Sequence, residues 1–192
     1  MLVLFFEEAQ PPGFGTSVYS NETPIESRPE DPNVGSKPRA DSQPRITLVN
    51  NLVENAKTYI TCKNAAGNWA YIGRDMQLHE LVTGGVISQE DVGLNLGAMG
   101  SEQSFWLAEY VSECRIYGSQ DDMQLEAVWS ADGRYSFVQP AIANPGDPNY
   151  AVNFGILEFS YRPSPGKTCA NPSQVDFIDV SMGFEMRTNG GE

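Results

Sequence analysis

Two acidic residues stand in contexts suited to acid–base chemistry. Glu158 lies within Val152-Asn153-Phe154-Gly155-Ile156-Leu157-Glu158-Phe159-Ser160-Tyr161, where two-residue alternation sets it on one face with Val152, Phe154 and Ile156. A carboxyl group among apolar neighbours is desolvated, which favours its protonated form and suits a general acid. Asp176 lies in Val175-Asp176-Phe177-Ile178-Asp179-Val180, on the face of Ile178 and Val180. Eighteen positions separate the two acids, through a segment carrying Pro163, Pro165, Gly166 and Pro172. A hairpin of that size can bring both onto one sheet face. Paired carboxylates across a cleft are what cleavage of a glycosidic bond requires: one protonates the leaving oxygen, and the other acts as base or nucleophile. Spacing alone does not choose inverting over retaining chemistry, which depends on the separation of the carboxyls in space. The competing reading makes each a solvent-facing or hydrogen-bonded strand acid.

Other chemistries are poorly served. The single histidine, His79, has no nucleophile paired with it in the sequence. Cys62, Cys114 and Cys169 are too widely spaced for the usual zinc sites, so neither a metal nor a cofactor is expected. The cysteines read equally as three buried small side chains or as one disulfide and a leftover thiol. Twelve Lys and Arg stand against 25 Asp and Glu, a formal charge of −13. Such a surface repels phosphate backbones and anionic bilayers, which excludes nucleic acid and membrane as partners. A neutral polysaccharide is indifferent to that field.

Around the acids, Tyr161 and Asn171 are candidate contacts to substrate hydroxyls. Trp69 follows the turn residues Gly67 and Asn68 and is a candidate platform for sugar stacking, whereas Trp106 and Trp129 lie in apolar strands and read as core. Asp147 and Asn149 fit a Pro-bracketed turn with Asx-type hydrogen bonds. Glu109, Glu113 and Glu126 read as outward strand acids.

The elements that must position these residues are strands. The chain has 192 residues, 40% of them hydrophobic, enough for one domain with a real core. Seven of the 13 prolines precede residue 45, so residues 1–44 read as a flexible, disordered leader and 45–192 as the folded domain. The opening Met1–Phe6 is apolar but lacks a basic flank and runs into Glu7-Glu8, a poor signal peptide as written. From Arg45 onward come short runs rich in β-branched and aromatic residues. They are Ile46–Asn50, Thr58–Cys62, Trp69–Gly73, Phe105–Tyr110, Cys114–Tyr117, Gln124–Trp129, Tyr135–Gln139, Val152–Tyr161, Val175–Val180 and Met182–Met186. Gly, Asn, Asp and Pro punctuate them, which predicts an all-β antiparallel sandwich or barrel. Gln89–Leu96 alone makes a modest helical claim, weakened by Gly93.

Several of these segments together resemble glycoside hydrolase family 64. The likeness rests on Cys114-Arg115-Ile116-Tyr117, Val138-Gln139-Pro140, Gly146-Asp147-Pro148-Asn149-Tyr150, Leu157-Glu158-Phe159-Ser160-Tyr161, Gln174-Val175-Asp176-Phe177-Ile178 and Met182-Gly183-Phe184-Glu185-Met186. It covers roughly residues 45 to 187 and is densest after Arg115. The resemblance implies a thaumatin-like β-barrel and a secreted, monomeric β-1,3-glucanase, with Glu158 as general acid and Asp176 as general base of an inverting mechanism. It implies that Ser160, where the family usually carries Thr, keeps a hydroxyl for a sugar contact. Arg162 departs from the family's usual Asn, and Ser181-Met182 replaces its Leu-Pro turn. Family enzymes continue well beyond the length of this chain, so the expectation includes an incomplete barrel. A non-catalytic glucan-binding module or an inactive fragment is the alternative.

Overall fold

The structure, a computed structural model, describes residues 2–8, 44–51, 56–141, 143–162, 168–173 and 180–186. In chain order the elements are β1 (Leu2–Glu8), β2 (Arg45–Asn50), β3 (Lys57–Lys63), β4 (Trp69–Ile72), β5 (Leu78–Glu80) and β6 (Gly85–Val86). There follow the single turn α1 (Gln89–Val92), β7 (Leu94–Asn95), β8 (Glu102–Trp106), β9 (Val111–Ser119), β10 (Glu126–Trp129) and β11 (Tyr135–Phe137). The last are β12 (Phe154–Tyr161), β13 (Thr168–Ser173) and β14 (Val180–Met186). As expected, the fold is almost wholly β. The helical turn α1 starts at the Ser88 cap, whose side chain accepts from the Glu90 amide, and ends at Gly93.

Among the described residues, three sheets make three layers. The central one runs β13-β12-β9-β3-β4-β5, with β7 also on β3. A four-stranded sheet, β14-β1-β2-β8, packs on one face. Ile46, Leu48 and Phe105 from it meet Ile60, Cys62, Ile116, Leu157 and Phe159 of the central sheet in the first core. A small sheet, β11-β10-β6, packs on the other face. There Ala127 and Phe137, with Met123 and Leu125, meet Tyr59, Tyr117 and Phe154 in a second core. Burial of each such side chain contributes roughly 1.5–3 kcal/mol. Strand β3, with Thr58–Cys62 all buried, has packed layers above and below it, so its residues read as a continuous apolar and β-branched run.

The small sheet covers only part of its face, and the uncovered part carries the candidate site. The sheet's rows show where cover ends. Tyr59, Tyr117 and Ile156 lie side by side across β3, β9 and β12, within or against the second core. The next row, Thr61, Arg115, Glu158 and Asn171, crosses β3, β9, β12 and β13.

Several expectations change. Leu2–Glu8, placed by sequence within the leader, is a strand between β14 and β2, and its pairing with β2 is parallel. Parallel neighbours need a long connection, and residues 9–44 provide one. Strand β13 was not foreseen, because Pro172 marks a loop; at the edge of the sheet a proline is tolerated. Trp106 and Trp129 are 54% and 65% exposed rather than core, since no layer covers the faces they occupy. Val175–Val180 lies outside the described residues except for its last member.

Cys62 and Cys114 are buried free thiols within the first core. Burial pushes the Cys114 thiol well above its usual range, and the neighbouring Cys62 adds to the effect. Both behave as small hydrophobes.

Tyr59, fully buried, donates to Gln89 Oε1 at 2.9 Å and accepts from the Met123 amide at 3.0 Å. Burial raises its hydroxyl from 10.0 to about 12. An unfolded tyrosine releases its proton near 10 while the folded one holds it, so the contribution is complete below pH 10. It drains as pH rises toward 12, by about 3 kcal/mol at most. Urea midpoints should therefore fall more steeply above pH 10 for the parent than for Tyr59→Phe. Parallel pH profiles for the two would count against this burial.

Candidate active site

The site is built on β9 and β12. Arg115 and Glu158 are cross-strand partners in the register, and Arg115 Nε donates to Glu158 Oε1 at 2.8 Å. Arg115 Nη1 also donates to Gln139 Oε1, and Tyr117 donates its hydroxyl to the same oxygen at 2.9 Å. Gln139 thus ties the Arg115 fork to Tyr117 at the boundary of the second core. Burial alone would lower the Arg115 guanidinium, but Tyr117 and Glu158 raise it on balance. Burial raises the Tyr117 hydroxyl in turn, against the opposing pull of Arg115.

A cleft of about 360 Å³ opens over this pair, lined by Trp69, Glu113, Arg115, Gln139, Glu158 and Ser160 with Cys114 and Phe159 beneath. Glu113 reaches it through a β-bulge. Phe159 and Tyr161 of β12 face Cys114 and Val111, and Thr61 and Lys63 of β3 face Arg115 and Ser112. Both neighbours therefore advance two residues while β9 advances three. Val111 and Cys114 consequently both enter the first core, and Glu113 takes up the irregularity with φ +49. Bulges of this kind bend a strand and re-aim side chains beside functional sites. The Glu113 amide donates to Ser160 Oγ at 3.3 Å, and its carboxylate receives Lys63 Nζ at 2.8 Å. Lys63 Nζ lies 5.1 Å from the Trp69 ring centre, and the Phe137 ring stands perpendicular to the same indole with ring centres 5.8 Å apart.

Of the residues selected from sequence, Glu158, Ser160 and Trp69 line the cleft together. Glu158 shares a face with Phe154 and Ile156 as alternation requires, yet its partner is a guanidinium rather than an apolar wall. Its side chain is 43% exposed, because the covering layer stops one row earlier. Tyr161 falls on the opposite face, packed against the first core with its ring 5.0 Å from that of Tyr110. Asn171 stands directly opposite Glu158 in the β12–β13 register. Asp176 lies outside the described residues.

His79 is set apart from the cleft, with Nε2 on Asp75 at 2.9 Å and its ring stacked on Tyr71. The Asp147 carboxylate is taken by the amides of Ala141 and Asn149, as expected of a turn. No group of three or more metal-ligating side chains occurs among the described residues. Sequence reasoning quoted Arg115, Tyr117 and Gln139 only within family motifs and read Glu113 as an outward strand acid, assigning none of them to the site. Arg115 had a signal, since it alternates with Tyr117 in a strand; Glu113 had none, since a bulge without glycine leaves no local mark.

This architecture has known counterparts. The sequence model of glycoside hydrolase family 64, described as β-1,3-glucanase, matches residues 42–192. The chain belongs to this family. Among solved structures, a laminaripentaose-producing β-1,3-glucanase in complex with laminaritetraose superposes with a TM-score of 0.58 and 24% identity, covering 70% of this chain and 36% of that one. A family 64 β-1,3-glucanase domain from Clostridium beijerinckii gives 0.53 and 16% identity, covering 73% and 42%. The matched part of this family 64 chain covers less than half of either protein. No curated protein matches it.

The left-handed backbone at Glu113 yields a test. An L-residue in that conformation costs roughly 1–2 kcal/mol, against at most about 1 kcal/mol from the exposed pair with Lys63. Glu113→Gly should unfold no more readily than the parent, and Glu113→Val should be less stable than Glu113→Gly by more than about 1 kcal/mol. At the neighbouring Ser112, valine should be the better tolerated of the two. Equal urea midpoints for the two Glu113 variants would exclude the bulge.

Proposed function

We propose that the cleft hydrolyses β-1,3-glucan with inversion at the anomeric carbon, Glu158 acting as general acid and Asp176 as general base. The observation that carries the reading is a carboxylate held on the floor of an open cleft, in a chain of the β-1,3-glucanase family. The acid role of Glu158 rests on the family resemblance, since the apolar surroundings expected from the sequence are absent; Arg115 occupies its Oε1, which leaves Oε2 to deliver the proton to the glycosidic oxygen. The Gln139 and Tyr117 hydrogen bonds fix the guanidinium, and through it the direction in which that proton is offered. Such positioning is where much of the rate comes from.

Asp176, on the far side of the sugar, would take a proton from the attacking water. Inversion requires its carboxyl to stand about 6.5–9.5 Å from that of Glu158, leaving room for the water. Ser160, Trp69 and Asn171 belong to this reading as substrate contacts, and Glu113, Gln139 and Arg115 add donors and acceptors for sugar hydroxyls. A polysaccharide of this size is met outside the cell, which makes secretion part of the proposal.

The test is sugar release from laminarin by the parent, Glu158→Gln and Asp176→Asn, with the product anomer followed by proton NMR. General acid–base groups contribute about 100- to 10,000-fold, so each variant should lose activity on that scale while keeping its circular dichroism. The first product should be the α-anomer. An initial β-anomer would replace inversion with retention, and full activity in either variant would remove that residue from its role. Retention on insoluble glucan without hydrolysis by the parent would make the domain a binding module.

A further inference from the structure

Trp69 also lines a second hollow, of about 260 Å³, which Glu158 does not line and which is shared with Asn68, Glu80, Trp129, Arg134 and Tyr135. Its most exposed aromatic is Trp129, which ends β10 and is 65% open to solvent. Tyr135 faces it across the β10–β11 register, with ring centres 4.9 Å apart and planes at 79°. That contact fixes how the indole presents its face.

The hairpin tip behind it is closed by the Ser130 amide on the Arg134 carbonyl at 2.8 Å and the Gly133 amide on the Ser130 carbonyl at 3.1 Å. Gly133 there adopts φ +77, which glycine alone takes without strain.

The polar rim is built as firmly. Glu80 accepts Asn64 Nδ2 at 2.9 Å on one oxygen and Asn68 Nδ2 at 3.1 Å on the other. Arg134 Nη1 donates to the Gly67 carbonyl at 3.0 Å, which joins the hairpin tip to the β3–β4 turn. A guanidinium carries five N–H donors, and this bond engages one.

An exposed indole of set orientation, ringed by a carboxylate, an amide and a guanidinium, matches one kind of ligand. A pyranose ring offers a face of C–H groups and a rim of hydroxyls that both donate and accept. With a formal charge of −13 on the chain, an anionic occupant is disfavoured and a neutral sugar is not. The hollow also adjoins the cleft through Trp69, so an extended polymer can touch both. We infer that this hollow is a second, non-catalytic binding site for a neutral glucan chain, with Trp129 as its stacking surface. That this chain is a β-1,3-glucan rests on the function proposed above; a site for a neutral sugar does not.

The test measures depletion of the full chain from solution by insoluble β-1,3-glucan, for the parent, Trp129→Ala, Trp129→Phe, Val86→Ala and Glu158→Gln. Trp129→Ala should weaken adsorption about tenfold, a change of about 1.4 kcal/mol, with its circular dichroism unchanged. Trp129→Phe, which keeps a ring, should weaken it less. Val86→Ala changes an exposed apolar side chain outside the hollow and should adsorb as the parent does. Indole fluorescence should respond to added laminari-oligosaccharide in Glu158→Gln and respond less once Trp129→Phe is added to it. Parental adsorption by Trp129→Ala, or equal weakening by Val86→Ala, would overturn the site. Glu158→Gln separates the two readings: if it hydrolyses laminarin like the parent, the catalytic assignment fails while adsorption still judges Trp129.

Discussion

Strand β9 has to satisfy three surfaces with nine residues, and the rest of the molecule is arranged around how it does so. Val111, Cys114 and Ile116 enter the first core, Tyr117 enters the second, and Glu113 and Arg115 belong to the cleft. A regular strand cannot send positions three apart to the same side. The bulge at Ser112–Cys114 resolves the conflict by adding one residue relative to both neighbours. Its cost is the left-handed backbone at Glu113, a residue that also holds Lys63 and the Ser160 hydroxyl. Backbone strain concentrated beside a candidate site is a familiar arrangement, sustained by the packing on either side of it.

The second organising feature is unequal cover. One face of the central sheet is packed against the four-stranded sheet, while the small sheet β6-β10-β11 shields the other only as far as the row through Tyr59, Tyr117 and Ile156. One row further, the side chains change character without any change in strand geometry. Thr61 stays buried, Arg115 and Glu158 pair, and Gln139 and Tyr117 stitch the polar row to the apolar one. The cleft is the place where a layer ends. Its polar groups meet solvent on one side and close-packed aromatic rings on the other, so they are held more tightly than surface charges usually are.

This explains what could be read from the chain and what could not. Alternation from Val152 to Tyr161 correctly puts Glu158 with Phe154 and Ile156, because that pattern is a property of one strand. It does not give the desolvated carboxyl that those neighbours suggest, because cover is a property of another sheet. The same distinction accounts for Trp106 and Trp129, whose apolar neighbours point to a core that no layer supplies. Arg115 pairs with Glu158 through a register 43 positions long, beyond any local signal. The proline in β13 misleads for a simpler reason: an edge strand can leave one side of its backbone unpaired. The all-β class and the family likeness were legible because they depend on many short segments in order.

The parallel pairing of β1 with β2 has a consequence for how the molecule is made. Strand β1 lies in the interior of its sheet, with β2 on one side and β14 on the other. Leu2 pairs with Met186, so this sheet joins residues far apart in sequence. During synthesis the Leu2-Val3-Leu4-Phe5-Phe6 segment is made long before β14, the neighbour on its other side. Contacts of such long sequence separation form slowly. The central sheet, whose neighbours lie nearer in sequence, can assemble in the interval while the outer layer is still open. Nascent chains of this protein would therefore pass through a period in which an apolar strand has an unpaired edge, the condition that chaperones bind and that aggregation exploits.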